Sequence, residues 1–350
     1  MRKLVVCVAA LACCFAAAVA QDIDIGNPVS RFVVLPPRPS PPGAESPTVT
    51  LPTWSGTFTY LGVTYSYYMV GKAPSTGTST TVKAFIIPVK VIIGTHTFSP
   101  NKTFGGESVV QQTVESPIFK TQDYVLGAVD IGTTQYVDAF QRANFWGTVK
   151  NHTGYHVKLG GPTILPTLTL TPGSSGGIGF PYGVLAGEMD INYFDAQAQS
   201  YISGHSSITP DTLPIFLTDN LYLTQGGICC IGGYHSVVGT QSYSHATFIT
   251  ASGVFSQDVS ALSHEVGEWM DDPGVKGTFN SIACGALEVG DPEESFANSG
   301  AFPYPLGGFT YNLQDLVFLE YFGAPSTTSV NGWETFQGNP FGLSICSNGG

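Results

Sequence analysis

Short runs of β-branched and aromatic residues, separated by glycine and proline, restrict the fold of this chain more than any other feature. Two long runs, Thr57 to Val70 and Thr80 to Ile93, predict strands. Shorter runs predict strands within Thr163 to Thr171 and Leu213 to Thr224. The 42 glycines, the 24 prolines and a charged fraction of only 11% are typical of loop-rich β structure. The chain is therefore expected to fold around a β-sheet.

Helical patterns are fewer. Apolar residues near helical spacing predict one helix within Thr134 to Trp146 and another within Met189 to Ile202. Tyr311 to Phe322 predicts a third helix that stops at Gly323, although a strand also fits this segment. Gly173 to Gly179 predicts a flexible loop. Together these segments indicate an α+β fold.

The first residues have the features of a signal peptide. Arg2 and Lys3 precede an apolar run, and small residues before Gln21 provide a cleavage site, so residues 1–20 are expected to be removed. The mature protein is therefore expected to be secreted, either extracellular or periplasmic. No later stretch is apolar enough to predict a membrane span.

A Pro-rich segment separates this leader from the compact part of the chain. Residues 21–53 contain eight prolines and predict an extended arm or linker. One main α+β domain is expected over residues 54–350, and residues 54–160 are a candidate β-rich subdomain within it.

Negative charge is concentrated in the second half of the chain. The formal net charge is −12, and loss of Arg2 and Lys3 with the leader changes it to −14. From Leu159 onward there are seventeen acidic residues and one basic residue, Lys276. A surface of this charge repels nucleic acid and anionic membranes, so neither is an expected partner. Two explanations for the excess of acidic residues remain: it keeps the protein soluble, or it binds cations.

Nine of the acidic residues lie between Asp258 and Glu294. Carboxylates this close together raise each other's pKa values and destabilise a fold unless a cation offsets them. A β-type run from Ser244 to Phe255 precedes this stretch, Ser256 to Asp258 offers helix caps, and apolar residues from Val259 to Met270 have helical spacing. The stretch is therefore expected to begin as a strand followed by a helix.

A metal-binding pattern lies on that helix. His264 and Glu268 are four residues apart, so their side chains project from one face and can bind the same ion. Glu265 lies beside them as a carboxylate that can take a proton from water. Glu288 and Asp291 are the candidates for a third ligand. Five other histidines are not expected to be ligands, with His235 the one that Cys230 could tether near the site; the other four are His152, His156, His205 and His245.

The segment from His264 to Glu268 resembles the HExxH signature of zincin metallopeptidases, with glutamate in place of the second histidine. This resemblance implies a zincin-like α+β fold, in which a twisted sheet precedes the active-site helix and the strand before that helix is an edge strand that aligns substrate. It also implies that His264 and Glu268 are metal ligands and that Glu265 is the general base. Zinc is the implied metal, and the carboxylate ligands leave calcium, manganese and iron open.

A second similarity extends further along the chain. The Ser-His-Glu-x-x-Glu pattern at Ser263, the Asp-Pro that follows it, and Glu288-Val-Gly-Asp291 are similar to secreted Exordium-like (phosphate-induced) proteins. Gly233-Tyr-His235 and the neighbouring cysteines fit the same outline. This similarity implies no particular activity.

Four cysteines remain after the leader: Cys229, Cys230, Cys284 and Cys346. An even number in an exported protein favours disulfides. Because a bond between neighbours in sequence is strained, Cys229 and Cys230 are each expected to reach Cys284 or Cys346.

The expected function is a secreted metal-dependent hydrolase, a metallopeptidase acting on peptide or protein substrates. The main alternative is a non-catalytic extracellular or wall-associated binding protein whose acidic loops are stabilised by metal. A glycoside hydrolase with paired carboxylates such as Glu188 and Asp190 is a lesser alternative. Gly173 to Gly177 matches GxSxG in letters, but the residues after it form a poor helix start, which disfavours a serine hydrolase.

Overall fold

A computed structural model describes residues 28–39, 50–60, 63–275, 287–294, 296–318, 324, 333–337 and 340–341. Helices and strands both occur, strands predominate, and the main sheet is curled, which confirms the mixed α and β composition predicted from the sequence. The predicted leader, residues 1–20, lies outside the described residues.

Five α-helices occur in the described ranges: α1 Val109–Val114, α2 Tyr136–Asn144, α3 Trp146–Val149, α4 Ile191–Gly204 and α5 Ser260–Asp271. None of them has the length and apolar character that crossing a membrane requires. Helices α2, α4 and α5 confirm three helices predicted from apolar spacing.

Twenty-three strands occur in the same ranges. They are β1 Arg31–Val34, β2 Thr53–Tyr60, β3 Val63–Val70, β4 Ser79–Ile93, β5 His96–Phe98, β6 Thr103–Phe104, β7 Glu107–Ser108, β8 Gln122–Leu126, β9 Val129–Thr134, β10 His156–Leu159, β11 Thr163–Ile164, β12 Leu168–Leu170, β13 Gly176–Gly179, β14 Ala186–Asp190, β15 Thr212–Asp219, β16 Leu221–Gln225, β17 Ile228–Val238, β18 Gln241–Phe248, β19 Ala301–Leu306, β20 Phe309–Gln314, β21 Val317–Phe318, β22 Trp333–Thr335 and β23 Pro340–Phe341.

Twelve of these strands form the main sheet, in the order β10-β4-β15-β18-β17-β16-β14-β13. Strand β1 lies along β17, and β5, β11 and β12 lie along β4. The β4, β15 and β18 strands are parallel, whereas β17 runs antiparallel to both β16 and β18. The centre of the sheet is therefore β15, β18 and β17.

Apolar clusters cover both faces of this sheet. Along β4, Ala84 and Ile86 belong to one cluster while Phe85 and Ile87 belong to the other, because successive side chains of a strand point to opposite faces. Helices α2 and α5 contribute to the first cluster and α4 contributes to the second. Burial on both faces explains why every residue of β15 is buried.

Helix α5 is fixed against the sheet by buried contacts. Trp269 is fully buried, and its Nε1–H donates to Ser242 Oγ on β18 at 2.9 Å. At the other end, Asp258 accepts hydrogen bonds from the backbone N–H and the side chain of Asn312 at 2.8 and 2.6 Å. The prediction that Asp258 caps the helix is wrong: the N-cap residue is Val259, and Asp258 instead ties the start of α5 to β20.

Three local predictions are also wrong. Tyr311 to Phe322 is not a helix over its described residues: β20 and β21 are strands, and Tyr311 and Leu313 are buried two residues apart, the period of a strand. Residues 319–323 lie outside the described residues. Gly173 to Gly179 is not simply a loop, because Gly176 to Gly179 forms β13, which pairs with β14. Leu213 to Thr224 is two strands, because Asn220 has a φ of 48° and turns the chain between them.

The cysteine prediction is wrong as well. Cys229 and Cys230 form a disulfide with each other, across a cis peptide bond. Both side chains lie on β17 and are buried in the apolar cluster that also contains α5. Cys284 and Cys346 lie outside the described residues.

Residues 28–39 of the Pro-rich arm are attached to the main sheet. Strand β1 pairs in parallel with β17, placing Val33 beside Tyr234 and Val34 beside His235. Further along, Arg38 forms a bridge with Val238. Residues 40–49, in the middle of the predicted arm, lie outside the described residues.

The bond between Trp269 and Ser242 provides a test of how α5 is held. We predict that Ser242→Ala lowers the free energy of unfolding by about 1–3 kcal/mol, because the buried indole N–H loses its acceptor. Urea denaturation at 25 °C measures the change. Ser203→Ala, on the exposed face of α4, is the control and should change it by less than about 0.5 kcal/mol. Equal effects of the two substitutions would contradict this account.

Candidate metal centre

Three parts of the fold bring histidine and carboxylate side chains together. Helix α5 presents one histidine and two glutamates, β17 presents a second histidine, and the loop at 287–294 adds two further carboxylates. These residues are His264, Glu265, Glu268, His235, Glu288 and Asp291. All but Asp291 are buried, whereas the Asp291 side chain is 40% exposed and lies at the rim.

His264 has its two ring nitrogens in different surroundings. Its Nδ1 bonds to Gln314 Oε1 on β20. The Gln314 amide is oriented by its Nε2, which donates to Gly290 O at 3.0 Å, so its oxygen is an acceptor and Nδ1 carries the proton. The lone pair of Nε2 then faces Glu268 Oε2 at 3.0 Å and Asp291 Oδ1 at 3.6 Å. This is the tautomer that a metal ligand requires.

His235 extends the cluster from the sheet. Its Nδ1 lies 3.3 Å from Glu265 Oε2 and 3.9 Å from Glu268 Oε2, and its Nε2 lies 4.0 Å from Glu288 Oε2. The sequence predicts His235 near the site through a Cys230 tether. The structure brings His235 there through β17 itself, since the strand runs on from Cys230 for eight residues.

Burial dominates the electrostatics of the cluster. It raises the pKa of Glu265 well above the usual value for a glutamate, and the negative charges of Glu268 and Asp291 raise this pKa further. Burial and Glu268 act in the same direction on the pKa of Glu288. Burial lowers the pKa of His235 to about 3 and also lowers the pKa of His264. Both imidazoles are therefore neutral, and a cation would favour the ionised form of the carboxylates.

The residues present fit a divalent metal ion. One ligand atom each from His264, Glu265 and Glu268 lie within 4.8 Å of one another, and so do ligand atoms of His235, Glu268 and Glu288. Two buried atoms in these groups, His235 Nε2 and Glu265 Oε1, make no hydrogen bond, and His264 Nε2 has only the Glu268 carboxylate beside it, at 3.0 Å. Unpartnered nitrogen and carboxylate atoms that converge on one place fit a bound ion.

One side of the cluster is covered by the N-terminal strand. The Phe32 ring stacks on His264 with 3.7 Å between ring centroids and 24° between planes. The Phe32 backbone N–H donates to Glu294 Oε1. These contacts close the cluster from the side of β1 and leave the Asp291 side nearest to solvent.

The sequence prediction named five residues for this site, and four of them lie in the buried cluster: His264, Glu265, Glu268 and Glu288. It did not identify Gln314, Phe32 or Glu294. No local signal marks these three. Gln314 lies fifty positions from His264 on a segment predicted as helix, and Phe32 lies in the Pro-rich arm.

The zincin resemblance implied that the strand before α5 is an edge strand, and this is wrong for β18. Strand β18 lies inside the sheet, between β15 and β17. Pairing with β16 ends at Ile231, and along the rest of β17 it is β1 that occupies the edge. Strand β1 therefore covers the edge of β17 that lies beside His235.

The other candidate residues have structural surroundings. Asp190 is the N-cap of α4 and accepts from two backbone N–H groups at 3.0 Å, so its carboxylate is engaged, while burial raises the pKa of its neighbour Glu188. The GxSxG segment enters β13 and not a helix, which differs from a nucleophile elbow. Three histidines bond to the following groups: His156 to Asp138, His205 to Tyr201 O and His245 to Thr218.

Comparison with known proteins yields no relative: no protein family, curated protein or solved structure matches this chain.

Asp271, one turn beyond Glu268, makes the stability of the folded protein depend on pH. Its carboxylate is fully buried and accepts a hydrogen bond from Gln141 Nε2. Burial raises the pKa of Asp271 from 3.8 to about 8, while the Gln141 bond opposes the rise. The folded state therefore binds more protons than the unfolded state between these two values, and stability falls as the pH rises through that window.

We predict that Asp271→Asn flattens this dependence, because the amide keeps an acceptor for Gln141 and does not ionise. The slope of unfolding free energy between pH 4.5 and 8 should differ from that of the parent by up to about 1.4 kcal/mol per pH unit. Urea titrations across this range measure it. Asp130→Asn, at an exposed position, should leave the slope unchanged. Parallel pH profiles for Asp271→Asn and the parent would contradict the assignment.

Proposed function

We propose that this protein is a secreted metal-dependent hydrolase that cleaves peptide bonds. One observation carries the proposal: His264 has its Nδ1 fixed by Gln314 and directs its Nε2 toward Glu268, beside the carboxylate of Glu265. A neutral imidazole, a carboxylate one turn away and a second carboxylate nearby are the parts that metal-assisted hydrolysis needs.

In this proposal His264 and Glu268 are ligands of one ion, and Asp291 or Glu288 completes the set. Asp291 Oδ1 is 3.6 Å from His264 Nε2, which favours Asp291. Zinc is the first choice because it accepts mixed nitrogen and oxygen ligands in tetrahedral sites; calcium is the alternative because most of the donors are carboxylates. When bound, the ion would polarise a substrate carbonyl and acidify a water molecule.

Glu265 is the proposed general base. Its Oε1 lies 4.0 Å from His264 Nε2 and makes no hydrogen bond, so with a cation keeping Glu265 ionised this oxygen could accept a proton. Its other oxygen faces His235 Nδ1 at 3.3 Å, which orients the carboxylate. Gly233 provides the room: a Cβ at that position would lie 2.6 Å from Glu265 Oε1.

The zincin-like fold is part of the same proposal. Its support is a sheet that precedes a buried helix carrying the His-Glu-x-x-Glu pattern, with that helix packed against β17 and β18. The substrate would be an extended peptide, because such a chain could take the place of β1 along the edge of β17 close to His235.

One observation favours a second candidate, a non-catalytic extracellular or wall-associated binding protein with metal-stabilised loops. His264, Glu265 and Glu268 are almost fully buried and Phe32 covers His264, as in a structural metal site that holds no substrate. The two candidates differ in the role of Glu265, which a catalytic site needs for turnover and a structural site needs at most for folding.

We predict that Glu265→Gln lowers kcat by about 100-fold or more while the protein keeps its metal, because loss of a general base removes 10²- to 10⁴-fold in rate. His264→Ala should lose both the metal and the activity. Hydrolysis of a fluorescence-quenched unstructured protein gives the rate, and elemental mass spectrometry gives the metal content. Glu107→Gln, at an exposed position, is the control. Full activity in Glu265→Gln would sink the catalytic proposal.

A further inference from the structure

We propose that the cluster binds two cations, the second held by His235, Glu268 and Glu288. This inference rests on the proposed function, since the first cation is the one assigned to His264. The cluster contains two groups of ligand atoms, each from three residues, and Glu268 is the one residue that belongs to both.

His235 has the surroundings of a ligand. Its Nδ1 lies 3.3 Å from Glu265 Oε2, and with Glu265 ionised beside a cation the ring donates its Nδ1–H to that carboxylate. The lone pair is then on Nε2, which is buried, makes no hydrogen bond and lies 4.0 Å from Glu288 Oε2. A histidine that donates one N–H to a carboxylate and offers its other nitrogen is the usual arrangement in metal sites. His264 repeats it with Gln314 as the acceptor.

Glu268 belongs to both groups. Its Oε2 is 3.0 Å from His264 Nε2, and its Oε1 accepts from the Gly290 N–H at 3.1 Å. One of its oxygens also lies within 4.8 Å of a ring nitrogen of His235 and of an oxygen of Glu288. A carboxylate in this position can bridge two ions about 3.5–4 Å apart, the spacing of two-metal hydrolytic centres.

Charge favours two ions over one. The three buried glutamates of the cluster carry three negative charges when ionised, and Asp291 adds a fourth at the rim. One divalent ion offsets two of these charges. A second ion would offset the others without any lysine or arginine, and no lysine or arginine is found among the charged partners of these residues in the described part of the chain.

The test is metal stoichiometry in the full mature protein. Metal-free protein is loaded with zinc, passed through a desalting column and analysed by elemental mass spectrometry. We expect about two zinc ions per chain in the parent and about one in His235→Gln. His245→Gln is the matched control, because His245 is also buried but bonds to Thr218, and it should keep both ions. Loading with manganese adds a second measurement, because two manganese ions at this spacing give an exchange-coupled electron paramagnetic resonance spectrum.

Three other outcomes would contradict the proposal. A single zinc and an uncoupled manganese spectrum in the parent would overturn the second site and leave the proposed function standing. Two ions retained in a folded His235→Gln would place the second ion elsewhere and also overturn it. No bound metal in the parent would remove the proposed function together with this inference. Because the parent alone gives the stoichiometry and the spectrum, the test does not depend on the folding of a variant.

A different observation carries a second inference about residues 28–39, here called the N-terminal strap. The strap follows β17 along its length, with backbone bonds from Val29 to Cys229 O at 2.9 Å and from Arg38 to Val237 O at 2.8 Å. Between these bonds, Phe32 stacks on His264. At its end, the Arg38 guanidinium pairs at 2.9 Å with Asp195, whose side chain is fully buried.

We infer that the strap is an autoinhibitory segment that must leave β17 before a substrate reaches the cluster. It occupies both positions that an extended peptide would need: the edge of β17 beside His235 and the space over the His264 ring. Its attachment at both ends, and not at Phe32 alone, is what keeps the site closed. This inference also rests on the proposed function.

The rate at which a chelator removes zinc from the loaded protein tests the strap. We expect Phe32→Ala to lose zinc about tenfold faster than the parent, because the ring that shields His264 is gone. Val29→Ala, at an exposed position on the same strap, is the matched control and should match the parent. Arg38→Ala should also accelerate loss by releasing the strap's end. Equal rates for Phe32→Ala and Val29→Ala would overturn the inference while leaving the metal centre intact.

Discussion

Three glutamates buried beside two neutral histidines are the constraint on which this part of the structure depends. Carboxylates without water around them are unstable as anions unless a cation or hydrogen-bond donors offset their charge. Gly290 provides the only donor to Glu268 among the described backbone groups, and Glu288 has none there. Protonation or a bound cation must therefore offset the remaining negative charge of the three glutamates. The orientation of both histidines favours a cation.

That orientation depends on contacts between distant parts of the chain. Gln314 on β20 sets the tautomer of His264, and Asp258 and Ser263 hold β20 against α5 through hydrogen bonds to Asn312 and to the Gln314 backbone. On the other side, β17 brings His235 under Glu265. The helix thus contributes His264 and two of the glutamates, while β20 sets the tautomer of His264 and β17 places His235 between Glu265 and Glu288.

Local patterns in the sequence were enough to predict the strands and helices whose apolar residues follow a single period. They were also enough to predict the site residues on α5, because His264 and Glu268 are one helical turn apart. They were not enough where distant contacts decide. Tyr311 and Leu313 fit helix and strand alike until β19 pairs with β20. Cys229 and Cys230 bond to each other although strain argued otherwise. Phe32 lies in a segment whose prolines indicate only an arm, and its position over His264 follows from pairing with β17.

The central claim is that the buried cluster is a metal centre, and anomalous diffraction from crystals grown with stoichiometric zinc tests it most directly. This account predicts an anomalous peak about 2.0–2.2 Å from His264 Nε2 and from an oxygen of Glu268. A map without a peak in the cluster, with His264 Nε2 hydrogen-bonded to a protonated glutamate, would contradict it. The cluster would then be an uncharged polar network within the core, and the case for hydrolysis would be lost.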